Sequence, residues 1–186
     1  MKTLLLPVLL SFALASVLTA QTCREVVRDA SGRIVQTIER QKQAGGTERA
    51  VTRDASGRIT GTATTRPNAG GSARTEYRDA SGRITGTAST RSTTGNSSHT
   101  TYRDASGRIQ GSGDTRTQGG SGNGSSTQYR DASGRITGSS ATSGRPSGSH
   151  TATRRDASGR MIGSSSGTGK CQDAAKVPVP PPGAKK

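Results

Sequence analysis

Apolar and polar residues alternate along short stretches of this chain, and the alternation restarts about every 25 residues. In the stretch from Arg58 to Thr65, Ile59, Gly61 and Ala63 share one face of an extended strand, and Thr60, Thr62 and Thr64 share the other. The next copy keeps the division, with Ile84, Gly86 and Ala88 against Thr85, Thr87 and Ser89. Later copies retain an apolar residue at the leading position (Ile109, Ile136, Met161) while the rest drifts toward Ser and Gly. Each of these strands follows the hexapeptide Arg-Asp-Ala-Ser-Gly-Arg, which occurs six times unchanged, at 28–33, 53–58, 78–83, 103–108, 130–135 and 155–160. Successive copies start 25, 25, 25, 27 and 25 residues apart, so one small unit is reused along the chain.

The hexapeptide has the chemistry of a tight turn. An Asp at the first turn position accepts from backbone N–H groups two residues on, and a Gly at the fourth takes the left-handed conformation, which together predict a type I turn closed by a Gly bulge. Such a turn joins antiparallel strands in a hairpin. The strand entering each turn carries Val27, Thr52, Tyr77, Tyr102, Tyr129 or Arg154 two residues before the Asp. Between hairpins lie polar, Gly-rich loops such as 66–72 and 118–126, and the two extra residues of the longer interval fall in the second of these. The pattern predicts an all-β fold: an antiparallel meander of six β-hairpin repeats of about 25 residues, with every turn along one edge. Two forms fit, an extended single-layer sheet or a curled sheet with Ile and Tyr inside.

Composition sharpens the problem of the core. After residue 20 there is no Leu, Phe or Trp, and the large aliphatics are seven Ile and six Val. That portion carries 26 Lys and Arg against 12 Asp and Glu, a net charge of +14. Few large apolar residues and high net charge describe a disordered chain, and the exact repeat argues for a folded one. Backbone pairing between neighbouring repeats then has to carry much of the stability.

The first twenty residues differ in kind: Lys2 precedes an apolar run from Leu4 to Leu18, and Ala20 offers a small cleavage position. This reads as a secretory signal peptide over 1–20, too short for a spanning helix. It places the protein in a secreted or periplasmic compartment. The repeat array spans 21–170, and 171–186 is a Pro/Lys-rich tail whose four prolines between Pro178 and Pro182 favour an extended, disordered segment. Cys23 precedes the first repeat and Cys171 follows the last. In an oxidising compartment the pair predicts a disulfide, with pairing to another molecule as the alternative. Within one chain the bridge would contribute up to roughly 5 kcal/mol in the chain-entropy picture. It also favours the curled sheet, because a bond holds the two Cα atoms within about 7 Å.

Asp-x-x-Gly-Arg followed by an aliphatic residue and preceded closely by Tyr resembles the YD or RHS-type repeat of large secreted bacterial proteins. The nearest matches are Tyr77 to Ile84, Tyr102 to Ile109 and Tyr129 to Ile136. The resemblance implies β-hairpins assembled into a long curved sheet. An Arg stands between Tyr and Asp in all three, and the other copies lack the Tyr, so the family's core packing does not carry over.

Catalytic chemistry is not encoded in any recognisable pattern. His99 and His150 stand among serines of low-complexity segments and read as solvated side chains, and no His/Cys/carboxylate cluster has metal-site spacing. The expectation is a protein that is not an enzyme and uses no cofactor or metal. Binding remains, and the candidate contacts are the motif arginines: Arg28, Arg33, Arg53, Arg58, Arg78, Arg83, Arg103, Arg108, Arg130, Arg135, Arg155 and Arg160. Stacked hairpins repeat equivalent arginines about 9.6 Å apart, a spacing suited to phosphate or sulfate groups of lipopolysaccharide, acidic polysaccharide or nucleic acid. In that reading the partner is an anionic cell-surface polymer; the sequence itself names no partner. The first reading is a secreted or periplasmic non-catalytic β-repeat protein with a structural or surface-interaction role, whose arginines pair with nearby Asp and keep the surface soluble; polyanion binding through the arginine array is the alternative, and a largely disordered secreted chain the second. A membrane-spanning barrel is disfavoured, since no strand carries a tall lipid-facing apolar band.

Overall fold

Each Asp-Ala-Ser-Gly sequence builds the same turn. In the first, the Gly32 N–H donates to the Asp29 carbonyl at 3.1 Å and the Asp29 N–H donates to the Arg33 carbonyl at 3.0 Å. The Asp29 carboxylate accepts from the backbone N–H groups of Ser31 and Arg33 at 2.9 and 3.0 Å. Gly32 sits at φ +85°, and its equivalents Gly57, Gly82, Gly107, Gly134 and Gly159 lie between +81° and +83°. Only glycine enters that region without a penalty from Cβ. The residue choice in the motif is therefore a requirement of the turn.

The structure, a computed structural model, describes residues 21–118, 124–145 and 148–168. The expected signal peptide, the Pro/Lys-rich tail, Cys171 and the site of the two-residue insertion lie outside them. The turns link twelve strands: β1 (Gln21–Asp29), β2 (Ile34–Lys42), β3 (Glu48–Asp54), β4 (Ile59–Pro67), β5 (Ala73–Asp79), β6 (Ile84–Thr93), β7 (Ser97–Asp104), β8 (Ile109–Gln118), β9 (Gly124–Asp131), β10 (Ile136–Gly144), β11 (His150–Asp156) and β12 (Met161–Thr168). Every strand pairs antiparallel with its chain neighbours, and β1 also pairs with β12, from Arg24 opposite Thr168 to Asp29 opposite Gly163.

This closure corrects the expected single-layer or curled meander: the sheet is a closed twelve-stranded antiparallel barrel. A cause lies in the hairpins themselves. In all six the register slips by one residue beside the turn, as between Tyr77 and Arg78 opposite Ile84 and Gly86. A bulge bends its strand and increases the twist, and six at the same level bend the sheet in one sense. Closure then pairs the N–H and C=O groups that an open meander would leave along two edges.

The bulge also overturns the expected Ile stripe. Counted by simple alternation, Ile84 shares a face with Gly86 and Ala88. The extra residue at the bulge instead sets Ile84 opposite Arg78, while Gly86 pairs with the lumen-facing Tyr77. Ile34, Ile59, Ile84, Ile109, Ile136 and Met161 are accordingly 42–50% exposed. The lumen instead holds two apolar clusters. One contains Val27, Ile38 and Ala50 with Ala63 against them, and the other Ala88, Tyr102 and Tyr129 with Tyr77 against them. Threonine hydroxyls bridge successive hairpins inside, Thr65 to Thr75 at 2.8 Å, Thr90 to Thr100 at 2.9 Å and Thr115 to Thr127 at 2.9 Å.

Candidate functional site

Because every motif turn lies at the same end of alternate strand pairs, closure gathers all six into a ring around one mouth of the barrel. The two arginines of the motif then separate into different roles. The first donates from Nη1 to the glycine carbonyl of its own turn: Arg28 to Gly32 at 2.9 Å, Arg53 to Gly57 at 3.1 Å and Arg78 to Gly82 at 2.7 Å. Arg103, Arg130 and Arg155 do the same to Gly107, Gly134 and Gly159, each at 2.9 Å. Several have further partners, such as Arg78 to Glu76 at 2.7 Å and Arg130 to Gln128 at 2.8 Å. The second arginine, at 33, 58, 83, 108, 135 and 160, is exposed in every copy. Its backbone N–H is held by the turn Asp, and its guanidinium makes no hydrogen bond or ion pair among the described residues.

Four of the six turn carboxylates are held in their charged form. Hydrogen bonds from Ser31, Ser56 and Ser158, followed by backbone N–H groups, hold Asp29, Asp54 and Asp156 below the usual value, and at Asp104 the leading contribution is the Arg108 N–H. Arg33, Arg58, Arg108 and Arg160 add a smaller Coulomb attraction. With two Arg and one Asp per motif, the ring carries a net charge of +6. The structure thus brings all twelve predicted arginines to one rim and leaves six of them with guanidinium groups available to a ligand.

A second polar assembly lies in the lumen, where the sequence reading placed none. Arg40 is 5% exposed, and its guanidinium bridges Glu25 at 3.3 Å and Glu48 at 3.2 Å. Burial would raise the Glu25 carboxyl, but Arg40, the neighbouring Ser165 hydroxyl and His150 outweigh it and hold the group below its usual value. Ser165 acts there at a geometry short of a regular hydrogen bond, since its hydroxyl, like Arg40 Nε and His150 Nδ1, has no hydrogen-bond partner among the described residues. His150 is not the solvated side chain expected from its loop-like surroundings. It is half-buried against Gly167, and burial, with help from Arg40 and against Glu25, pushes its pKa down. Desolvation pushes the Tyr77, Tyr102 and Tyr129 hydroxyls well up, so they stay protonated.

The lumen network was readable from the repeat, had it been aligned column by column. Arg40 occupies the place of Thr65, Thr90 and Thr115, and Glu25 that of Ala50, Thr75 and Thr100. Charges at lumen positions where the central repeats place Thr, Ala or Ser, as at Glu25, Arg40 and Glu48, signal a local ion-pair network. His99 lies on the outer wall, its Nδ1 2.6 Å from Asp114 Oδ1 beside a shallow recess that includes Ser97 and Arg116. Both side chains are about half exposed, 41% and 52%, and water screens the pair. No group of three or more His, Cys, Asp or Glu is placed to hold a metal among the described residues, and no helix there is long and apolar enough to cross a membrane. No protein-family model matches the chain, and no curated protein matches it in sequence.

Proposed function

We propose that this is a secreted or periplasmic, non-catalytic β-repeat protein that acts as a surface-interaction module, engaging polyanions through its arginine rim. The observation that carries the reading is the division of labour within the motif. One arginine braces each turn, and the other presents an exposed guanidinium without a hydrogen-bond or ion-pair partner among the described residues, six times around a closed ring. Neighbouring hairpins stand two strands, or about 9.6 Å, apart, within reach of successive sulfate or phosphate groups on one polymer. A purely solubilising role would be met by the net charge without this repetition.

Heparin chromatography across a salt gradient tests it. The protein should be retained at low salt and elute as salt displaces it, as expected for contacts made by charge. Replacing the six second arginines with Gln should bring elution to markedly lower salt. Replacing one first arginine, as in Arg103→Gln, should change stability more than elution. If the six-fold variant elutes with the parent protein, the rim is not the binding surface.

The proposed compartment goes with a disulfide between Cys23 and Cys171. The register sets Thr168 opposite Arg24, next to Cys23. Cys171 follows Thr168 by three positions along the chain, a length of up to about 10 Å when extended, which is long enough for such a bond. Thiol titration of the unfolded protein, with and without reductant, reads the bond directly, and two free thiols in protein exported through an oxidising compartment would exclude it.

A further inference from the structure

The rim is not only cationic. Each exposed second arginine is followed by an exposed aliphatic side chain, and that aliphatic stands across the hairpin from the motif's first arginine, as Ile59 does from Arg53 and Ile109 from Arg103. The chain has few large aliphatics, and the fold places six of them around this mouth. The distribution is also uneven. In β2 and β12, the two strands that flank β1, a second exposed aliphatic follows: Val35 at 44% and Ile162 at 36% exposure. The other repeats carry Thr60, Thr85, Gln110 and Thr137 there. Ile34, Val35, Met161 and Ile162 therefore form an aliphatic arc on either side of β1, bordered by Arg28, Arg33 and Arg160.

Resting on the polyanion reading of the same rim, we infer that this mouth docks end-on to an anionic phospholipid bilayer, with the Ile34–Val35 and Met161–Ile162 arc entering the headgroup region and the free arginines holding lipid phosphates. A purely polar polyanion would satisfy the guanidinium groups and leave the aliphatics in water. A bilayer surface offers phosphate and hydrocarbon side by side, to every hairpin of a ring at once. Shallow insertion of apolar side chains combined with attraction to anionic headgroups is the usual basis of reversible surface binding. Docking end-on also suits the outer wall, where Arg49, Thr62, Thr64, Arg74 and Glu76 would oppose passage through hydrocarbon.

The test compares two ligands and two variants on the purified chain. Vesicles of phosphatidylcholine containing phosphatidylglycerol are used for flotation, with pure phosphatidylcholine vesicles and a heparin column in parallel. The protein should float with the anionic vesicles and not with the neutral ones. The combined variant Ile34→Ser, Val35→Ser, Met161→Ser, Ile162→Ser should lose anionic-vesicle affinity by at least about tenfold, the loss expected on withdrawing four partly inserted aliphatic side chains, while eluting from heparin unchanged. The milder pair Val35→Thr and Ile162→Thr, which copies the other repeats and preserves the fold, should show a smaller loss in the same direction. Heparin binding without vesicle binding would overturn the bilayer inference and leave the polyanion reading standing; binding to neither would overturn both. Concentration-dependent self-association abolished by the four Ser substitutions, without flotation, would assign the arc to a second copy of the chain and overturn the inference as well.

Discussion

The carbonyl oxygen of Arg78 lies 2.6 Å from the position that a Cβ on Gly61 would occupy. Gly61 ends the bulge of one hairpin, and Arg78 begins the motif of the next, so the contact is where consecutive repeats interlock. The same approach recurs between Gly86 and Arg103 and, across the closing seam, between Gly163 and Arg28, each at 2.5 Å. In five of the six copies the motif is thus longer than its identical residues: a glycine three positions after the second arginine (Gly61, Gly86, Gly111, Gly138, Gly163; Gln36 in the first copy) lets the next hairpin cross the strand.

Gly86→Ala should destabilise the barrel by about 1–3 kcal/mol, because a backbone oxygen has to move to admit the methyl group. Gly113→Ala is the control. Its Cβ would meet Thr127, Tyr102 and Tyr129 at 3.4–3.5 Å, an ordinary contact, and Ala already occupies the equivalent positions 63 and 88. Thermal unfolding should separate the two variants clearly; equal melting temperatures would show that the hairpin crossing is not tight.

Within the turn, Asp104 accepts from the Ser106 and Arg108 backbone N–H groups, both at 2.9 Å. Asp104→Asn keeps an oxygen acceptor in place and Asp104→Ala removes it. The urea midpoint should therefore fall in the order parent, Asn, Ala. Gly107→Ala, forced to hold φ +81°, should cost a further 1 kcal/mol or about that. A midpoint for Asp104→Ala equal to that of the parent protein would mean that the Ala-Ser-Gly backbone makes the turn without its carboxylate.

The hairpins were legible because the turn is a local object: Asp29 to Arg33 contains its own hydrogen bonds, and the residue types state them. Closure was not legible, since it depends on the sum of six bends and on β1 meeting β12, residues about 140 apart in the chain. The Ile positions misled for a related reason. A period-two count runs straight from Ile59 through Gly61, whereas one inserted bulge residue takes Ile59 out of the lumen row and sets it on the rim. The rim arginines were visible as candidates, but the distinction between Arg78, tied to Gly82, and Arg83, left exposed, required the turn's three-dimensional form.

Arg40 stands where the next four repeats place a threonine, and it pairs with both Glu25 and Glu48. Arg40→Thr should destabilise strongly, by about 3–5 kcal/mol, because it removes the guanidinium that faces the buried Glu25 carboxylate. Replacing the network together, as in Glu25→Thr, Arg40→Thr and Glu48→Ala, should recover most of that loss, since it rebuilds the pattern seen in the central hairpins. A triple variant no more stable than Arg40→Thr would mean that the ion pairs fix the register at the β1–β12 seam and do more than neutralise one another.

Stability should fall with pH in two stages. His150 has its pKa lowered from 6.5 in the folded protein, so as pH drops through about 6.5 the unfolded chain takes up a proton that the barrel resists, and stability declines until the lower folded pKa is reached. Glu25, Asp29, Asp54, Asp104 and Asp156 are also lowered, but they act as acids: their contribution is complete above the unfolded carboxylate values and is lost as pH falls through the folded ones. The melting temperature should therefore show a shallow decline beginning near pH 6.5 and a steep one below about pH 4. His150→Gln should flatten the first stage and leave the second nearly unchanged, because the Arg40 guanidinium remains beside Glu25. A parent protein whose melting temperature is constant from pH 7 to pH 5, or a His150→Gln variant that retains the shallow decline, would show that His150 takes up its proton in the folded barrel as readily as in the open chain.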